Sequence, residues 1–177
     1  MELLNEFFNE VKIFHLEKFE DNRGFFLEKY HTKRYQKHGI DEIFVQDNHS
    51  RSYKNVLRGL HFTQNKPQSQ IMTVISGKVF DVVVDIRPNS KTFGKYASCY
   101  LGDEGPQQIY MPDGFAHGFC VLSDIADLHY KVSKIYNSSH EKGIIWNDEI
   151  INVDWPITNP IISERDLNHP TLEEYFL

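Results

Sequence analysis

Short runs of alternating apolar and polar residues recur along the chain, and this period of two is typical of β-strands rather than helices. The first runs cover 11–19 and 25–30, with a turn at Gly24 between them, and another covers 43–46. Further runs follow between clusters of Gly, Pro, Asp and Asn: 71–75, 78–86, 96–101, 108–111, 115–122, 128–135 and 143–146. Many short strands at even spacing predict an all-β sandwich or jelly-roll barrel.

Little of the chain suits a helix. Thr32 can cap one short helix, and Gly39 suits its end. The carboxyl-terminal tail carries Pro156, Pro160 and Pro170, which predict loops and short turns over the barrel.

The run 78–86 predicts a strand with two unlike faces, entered through a hairpin turn at Ser76–Gly77. One face is wholly apolar and holds Phe80, Val82, Val84 and Ile86. The other face alternates two valines with Asp81 and Asp85. The pattern leaves open whether these carboxylates line a wet pocket or face solvent, so neither is assigned to a functional site.

An arginine and a histidine lie on either side of a glycine in the apolar run Val56–Phe62. Ionisable groups are costly to bury, so Arg58 and His61 are candidates for a functional site. The ordinary structural interpretation instead gives His61 a backbone partner and makes Arg58 half of a surface ion pair. On a regular strand the two side chains point to opposite faces. They reach one pocket only if the strand bulges or twists near Gly59.

Composition and charge exclude several classes of protein. With 177 residues, 40% of them hydrophobic, and no long apolar run, the chain predicts one globular domain over 1–177 and no membrane association. A net charge of −6 argues against a nucleic-acid partner, although not against an anionic ligand in a local basic pocket. Two cysteines, and an amino terminus unlike a secretion signal, favour the cytoplasm.

Three further groups can support chemistry: His117, Tyr130 and Asp166. A histidine oriented by a carboxylate is a general base, and a tyrosine opposite it can deliver a proton. Inversion of a carbon next to a carbonyl requires both, because one group removes the proton and the other returns one from the opposite side. Taken alone, His117 is better explained as a strand histidine buried beside Phe115 and Phe119.

Six motifs occur in the order of the chain: Arg23–Phe26, Val45–Ser50, Val56–Phe62, Gly77–Arg87, Pro112–Phe119 and Ile145–Asp148. Together they resemble the dTDP-4-dehydrorhamnose 3,5-epimerase family from about residue 11 to about residue 170. The resemblance implies a cupin jelly roll and a homodimer without metal or other cofactor. It also implies a nucleotide-linked 4-keto-6-deoxy sugar as substrate, in the synthesis of a surface-polysaccharide sugar. The nucleotide, dTDP or GDP, and the inverted carbon, C3, C5 or both, stay open.

The resemblance assigns roles to individual residues. It makes His61 the catalytic base, Asp166 the carboxylate that orients it and Tyr130 the acid on the opposite face. The remaining matches are substrate-binding residues: Arg23, Phe26, Glu28, Gln46, Asn48, Arg58, Gln70, His117 and Tyr136. Among these, Tyr136 matches an aromatic that stacks on the nucleobase. On one regular strand Tyr130 and Tyr136 would share a face, about 20 Å apart.

One position departs from the family pattern. Gln70 stands where the family usually carries a lysine, so a neutral amide replaces an ammonium near the 4-keto oxygen. A charged donor stabilises a developing oxyanion more than a neutral donor does. We therefore expect that Arg58 and His117 suffice, that Lys66 substitutes, or that the chain inverts C3 alone.

Two other classes of function stay open. The motif Pro112-x-Gly114-x-x-His117 also fits half of a metal-cupin pattern, as in a dioxygenase. The other half is missing, because Leu60–Thr63 offers a single histidine. A cupin that binds a ligand without turnover is the third possibility, since fold alone does not define function.

Overall fold

The computed structural model describes residues 1–102 and 105–176, which form thirteen strands and three short helices. The strands are β1 (Glu2–Phe7), β2 (Val11–His15), β3 (Lys18–Asp21), β4 (Gly24–Leu27), β5 (Gln46–Tyr53), β6 (Leu57–Thr63), β7 (Gln70–Ser76), β8 (Val79–Asp85), β9 (Tyr96–Leu101), β10 (Gln107–Met111), β11 (Phe115–Val121), β12 (Ile125–Val132) and β13 (Glu141–Gly143). The helices are α1 (Thr32–Gln36), α2 (Glu164–Leu167) and α3 (Leu172–Phe176).

The strands form two sheets, with a small hairpin beside them. Six strands follow the order β1-β2-β10-β7-β12-β5, and five follow the order β13-β6-β11-β8-β9. Neighbouring strands in these sheets run antiparallel. β3 and β4 pair only with each other within the described ranges. Strands that follow one another in the chain often enter different sheets, and this confirms the predicted jelly roll.

β8 lies in the middle of the packing and is buried at every position. Its apolar face packs under the carboxyl-terminal tail, in a cluster that includes Phe80, Val82, Val84 and Ile86. The opposite face places Val79 and Val83 between the two sheets, with Asp81 and Asp85 fully buried. The two faces are therefore as predicted, but neither carboxylate faces solvent.

The turn at Ser76–Gly77 is not a hairpin, contrary to the prediction. β7 belongs to the six-stranded sheet and β8 to the five-stranded one, so the chain crosses between the sheets here. Gly77 has a φ of +85°, and a Cβ on it would lie 2.1 Å from the carbonyl oxygen of Ile125. A turn signal is local, whereas the sheet that the next strand joins is decided by contacts distant in sequence.

Several element boundaries also differ from prediction. Residues 43–45 form a loop, and the strand begins at Gln46. The run 128–135 ends as a strand at Val132, so Tyr136 lies in the following loop. The tail contains α2 and α3 in place of turns alone, and β1 has no counterpart among the predicted strands. No helix in the described part of the chain is both long and apolar enough to cross a bilayer.

β6 bulges at Gly59. This confirms the prediction that Arg58 and His61 reach one pocket only if the strand bulges or twists there. Their pairing partners on β11, Phe119 and His117, lie two residues apart, whereas Arg58 and His61 lie three apart. Gly59 has a φ of +128°, and a Cβ on it would lie 2.5 Å from the backbone of β11. The extra residue on β6 lets both side chains reach one cavity.

Candidate active site

A cavity of about 360 Å³ lies between the two sheets. Its lining includes most of the predicted site residues: Gln46, Asn48, Arg58, His61, Gln70, His117, Tyr130 and Tyr136. Sequence reasoning missed the other lining residues: Ser50, Gln68, Met72, Phe119, Val132, Glu141 and Arg165. Polar groups from strands of both sheets therefore converge on one volume.

His61 has a buried carboxylate as its partner. Its Nε2 lies 2.9 Å from Oδ1 of Asp166, which stands in the first turn of α2. The backbone N–H of Gly59 donates to the other carboxylate oxygen at 3.3 Å, and Ser163 caps the helix that carries Asp166. Burial opposes ionisation of Asp166, but the hydrogen bonds from His61 and Gly59 hold the pKa of its carboxyl well below the usual range. His61 therefore faces a carboxylate that is ionised at neutral pH, an arrangement that can support general-base chemistry.

A second histidine–aspartate pair lies beside the first. His117 pairs with His61 across β6 and β11, and its Nε2 lies 2.7 Å from Oδ2 of Asp81. The other oxygen of Asp81 has no hydrogen-bond partner among the described residues. The alternation along 78–86 identified the face that carries Asp81. It could not reveal this contact, because the contact depends on how β8 pairs with β11.

Tyr130 approaches the cavity from the sheet opposite His61, because β12 belongs to the six-stranded sheet and β6 to the five-stranded one. Burial raises the pKa of Tyr130, and the charge of Glu141 adds to this while Arg58 opposes it. The phenol therefore keeps its proton at neutral pH, as a proton donor must.

Hydrogen bonds fix three of the predicted binding residues near the edge strand β5. Gln46 Nε2 donates to Asn48 Oδ1 at 2.7 Å, and the backbone N–H of Tyr136 donates to Gln46 Oε1 at 2.9 Å. The Tyr136 hydroxyl donates to Glu141 at 3.0 Å, and this bond raises its pKa. Tyr136 thus reaches the cavity from a loop tied to β5, and not from a regular strand shared with Tyr130.

Two arginines supply the positive charge among the described residues that line the cavity. Arg58 is held by Ser52, whose hydroxyl accepts a hydrogen bond from its Nε at 3.0 Å. Arg165, next to Asp166, pairs with Glu141 and places its Nη2 3.3 Å from His61 Nε2. The sequence shows Arg165 beside a candidate carboxylate, but only the placement of α2 turns it toward the cavity.

Gln70 lines the cavity at the start of β7, as expected, but Lys66 does not line it. Lys66 lines a neighbouring cavity of about 40 Å³, to which Gln70 and Lys134 also contribute. No lysine among the described residues lines the larger cavity. The geometry therefore gives no support to Lys66 as a substitute within the main cavity.

Three predicted substrate-binding residues lie outside the cavity of their own chain. Arg23 lies at the turn of the β3–β4 hairpin, with 85% of its side chain exposed, and pairs with Asp21. Phe26 on β4 is 68% exposed. Glu28 follows the hairpin and pairs with Arg34 at 3.1 Å. The structure therefore does not bring these three residues to the cavity of their own chain.

One group of side chains has distances compatible with a metal ion. Candidate ligand atoms of His61, Asp166 and His169 lie within 4.8 Å of one another. The Nε of Arg165 lies 3.4 Å from Asp166 Oδ1, the oxygen that also faces His61. A guanidinium at that distance repels a metal ion, so the cluster fits an ion poorly.

A jelly roll with a histidine–aspartate pair facing a tyrosine across one cavity can take a proton from a bound ligand and return one. The model of the dTDP-4-dehydrorhamnose 3,5-epimerase family matches residues 6–174. The chain is 48% identical over 162 residues to the dTDP-4-dehydrorhamnose 3,5-epimerase of Shigella flexneri, covering 90% of this chain and 89% of that protein. The chain therefore belongs to the dTDP-4-dehydrorhamnose 3,5-epimerase family.

Solved structures agree in fold. A crystal structure of the dTDP-6-deoxy-D-glucose-3,5-epimerase of Legionella pneumophila in complex with dTDP-4-keto-L-rhamnose matches with a TM-score of 0.93 and 41% identity, covering 97% of this chain and 93% of that one. A 3'-monoepimerase of Streptomyces bikiniensis, in complex with dTDP-quinovose, matches with a TM-score of 0.87 and 30% identity, covering 92% and 84%. The chain is an isomerase that epimerises a nucleotide-linked 4-keto sugar, which confirms the activity expected from the sequence.

Proposed function

We propose that the chain inverts C3, C5 or both carbons of a dTDP- or GDP-linked 4-keto-6-deoxy sugar, with His61 as base and Tyr130 as acid. The observation that carries this proposal is the placement of the His61–Asp166 pair and Tyr130 on opposite sheets around one cavity. The Legionella pneumophila relative was crystallised with a dTDP-linked sugar, so dTDP is the first nucleotide to test. The product would serve synthesis of a surface-polysaccharide sugar in the cytoplasm.

The proposed reaction has two proton transfers. His61 takes the proton from the carbon next to the C4 carbonyl, and the electron pair moves through the carbonyl to leave an enolate oxygen. Arg58 and His117 line the same cavity and can donate hydrogen bonds to that oxygen. As the enolate collapses, Tyr130 delivers a proton to the opposite face of the carbon, and solvent then restores both groups.

The first test follows the two steps separately. Nucleotide-linked 4-keto-6-deoxy sugars are incubated with the protein in D2O, and proton NMR records deuterium at C3 and C5. We expect His61→Ala to slow exchange at both carbons by at least about 100-fold. Tyr130→Phe should still exchange protons while inversion is lost, because the base remains. Tyr53→Phe, on an exposed tyrosine outside the cavity, is the matched control. Full turnover by His61→Ala would remove the base from the proposal.

The three residues outside the cavity support a second part of the proposal, a homodimer in which the β3–β4 hairpin completes the partner's site. The resemblance makes Arg23, Phe26 and Glu28 substrate contacts, yet they do not line the cavity of their own chain. Phe25 and Phe26 are 65% and 68% exposed on the hairpin, and large exposed aromatics commonly mark an interface. A second copy of the chain would bring them to a cavity.

A mixing experiment tests this arrangement. His61→Ala and Phe26→Ala are each expected to be poorly active alone. If the hairpin acts on the partner, a mixed dimer has one intact site, and random mixing restores about a quarter of wild-type activity. Activity that stays at the average of the two variants would show that each chain completes its own site. Light scattering on the wild-type protein checks that a dimer is present.

A further inference from the structure

His169 lies against the His61–Asp166 pair without lining the cavity. It follows α2, three residues after Asp166, and its ring meets that of His61 edge to face at 5.6 Å. Its Nε2 is buried and has no hydrogen-bond partner among the described residues. The carboxylate oxygen that His61 contacts, Asp166 Oδ1, is 3.5 Å away from this nitrogen. A buried ring nitrogen this close to a carboxylate has one obvious acceptor.

The His169 ring is held in place by the backbone of β13. Gly143 pairs with His61 across β6 and β13. A Cβ on Gly143 would lie 2.4 Å from both Cδ2 and Nε2 of the His169 ring, so the ring packs directly on the glycine. The ring therefore has no room to move toward Gly143 unless the strand moves.

Asp166 Oδ1 has competing cationic and polar neighbours. His61 Nε2 lies at 2.9 Å and Arg165 Nε at 3.4 Å. The Arg165 side chain is 54% exposed and also pairs with Glu141, so it can follow a ligand or solvent. A carboxylate that followed Arg165 would turn away from His61, and a second buried N–H donor to the same oxygen would oppose that movement.

We propose that His169 is a positioning residue whose Nε2–H donates to Asp166 Oδ1 and keeps that carboxylate directed at His61 rather than at Arg165. The catalytic part of this inference rests on the proposed role of His61 as base. Burial lowers the pKa of His169, and the charges of His61 and Arg165 lower it further, while Asp166 and Glu141 oppose this. The ring is therefore neutral at neutral pH, so it can donate without adding a positive charge beside the base.

The test compares His169→Leu, which removes the donor, with His169→Gln, whose amide nitrogen reaches nearly the same position. We expect His169→Leu to lower kcat about tenfold with KM changed less than about twofold, because orientation of the base and not substrate binding is lost. His169→Gln should recover most of the rate. His49→Leu is the matched control, since His49 also pairs with an aspartate, Asp127, but lies outside the cavity.

A second measurement does not depend on turnover. Nitrogen-15 NMR of the histidine rings reports which nitrogen of His61 carries the proton. In the wild type we expect the single tautomer with the proton on Nε2, facing Asp166, and in His169→Leu a mixture of tautomers. Unchanged His61 signals, or an unchanged kcat, in His169→Leu would overturn the inference. If the wild type exchanges no substrate protons, the proposed function fails, and the ring signals still decide whether His169 positions Asp166.

Discussion

At the scale of single residues, each of the two histidines that line the cavity contacts a buried carboxylate. Asp166 lies behind His61 and Asp81 behind His117, and both carboxylates are buried. A buried carboxylate fixes the orientation of its imidazole and stabilises the protonated ring. Two histidines prepared in this way can serve different steps, one as the base and one as a donor to the enolate oxygen.

Asp81→Asn tests the second pair. The substitution keeps the shape of the side chain but removes the charge that orients His117, so we expect kcat to fall about ten- to 100-fold. Steady-state kinetics measures the loss, and thermal unfolding checks that the fold is kept. Asp127→Asn is the control, because Asp127 also pairs with a histidine, His49, but does not line the cavity. Equal catalytic losses in the two variants would contradict a specific role for Asp81.

Gln70→Lys tests the departure from the family pattern. An ammonium at this lining position would add a charged donor near the sugar carbonyl, so we expect faster proton exchange and a larger share of exchange at C5. NMR in D2O measures both carbons in one experiment. Gln68→Lys places the same charge elsewhere in the cavity lining and is the control. An unchanged rate and product ratio in Gln70→Lys would remove the link between Gln70 and restricted chemistry.

At the scale of elements, the bulge in β6 is the feature that assembles the site. Without the extra residue at Gly59, Arg58 and His61 would point to opposite faces of the strand. The bulge requires glycine for two reasons, a φ of +128° and the close backbone of β11. Backbone geometry at one residue therefore controls the position of two charged side chains.

Gly59→Ala should lower the free energy of unfolding by at least about 3 kcal/mol and abolish activity, because the new Cβ adds a clash to an unfavourable φ. Gly24 is a matched control: its φ is also +128°, but a Cβ there meets no atom within 4 Å. Gly24→Ala should therefore lower the free energy of unfolding only by the cost of an alanine at this φ, about 1 to 2 kcal/mol. Urea unfolding measures both variants. A loss in Gly59→Ala no larger than in Gly24→Ala would mean that the contact with β11 relaxes easily.

At the scale of the whole molecule, an apolar cluster covers part of the outer face of each sheet, and the cavity lies between the sheets. The tail, with Trp155 and Leu172, packs on the five-stranded sheet. The helix α1 contributes Tyr35 to a cluster with Phe14 and Tyr110 on the other sheet. A third apolar cluster, with Val79, Val83 and Met72, lies between the sheets, so the polar lining of the cavity stands on an apolar core.

Stability should depend on pH through Asp85. Its carboxylate accepts hydrogen bonds from Arg87, Ser90 and Thr92 at the end of β8. Burial opposes its ionisation, but these bonds hold its pKa well below the usual value. A depressed pKa stabilises the fold above the pKa of the unfolded chain, about 3.9, and this stabilisation is lost as the pH falls toward the folded-state pKa.

Asp85→Asn should therefore lower the free energy of unfolding by about 3 kcal/mol at pH 7, because the buried carboxylate that accepts from Arg87, Ser90 and Thr92 loses its charge, although Arg87 keeps its ion pair with Glu10. The difference from the wild type should shrink below about pH 4. Urea titrations at a series of pH values measure both effects. Asp124→Asn, on a side chain that is 96% exposed, should change stability by less than about 0.5 kcal/mol at either pH. A constant difference down to pH 3 would contradict the assignment.

The sequence by itself determined the class of fold and most of the site. Alternation fixes which side of a strand is buried, so the two faces of β8 follow from residue order alone. Ionisable residues in one apolar run made Arg58 and His61 candidates, because burial without a function or a partner is costly, and the family resemblance added His117. The bulge at Gly59 was also foreseeable, as the condition for two side chains of opposite parity to meet.

Only the tertiary structure decided how the strands pair and which distant residues each side chain contacts. The crossing after Ser76–Gly77, the contact of Asp81 with His117, and the packing of His169 on Gly143 join elements that are distant in the chain. Local patterns carry no information on register or on which sheet a strand joins, since these depend on the sum of many distant contacts. For the same reason the sequence could name the hairpin residues as ligands without showing that they lie outside the cavity of their own chain.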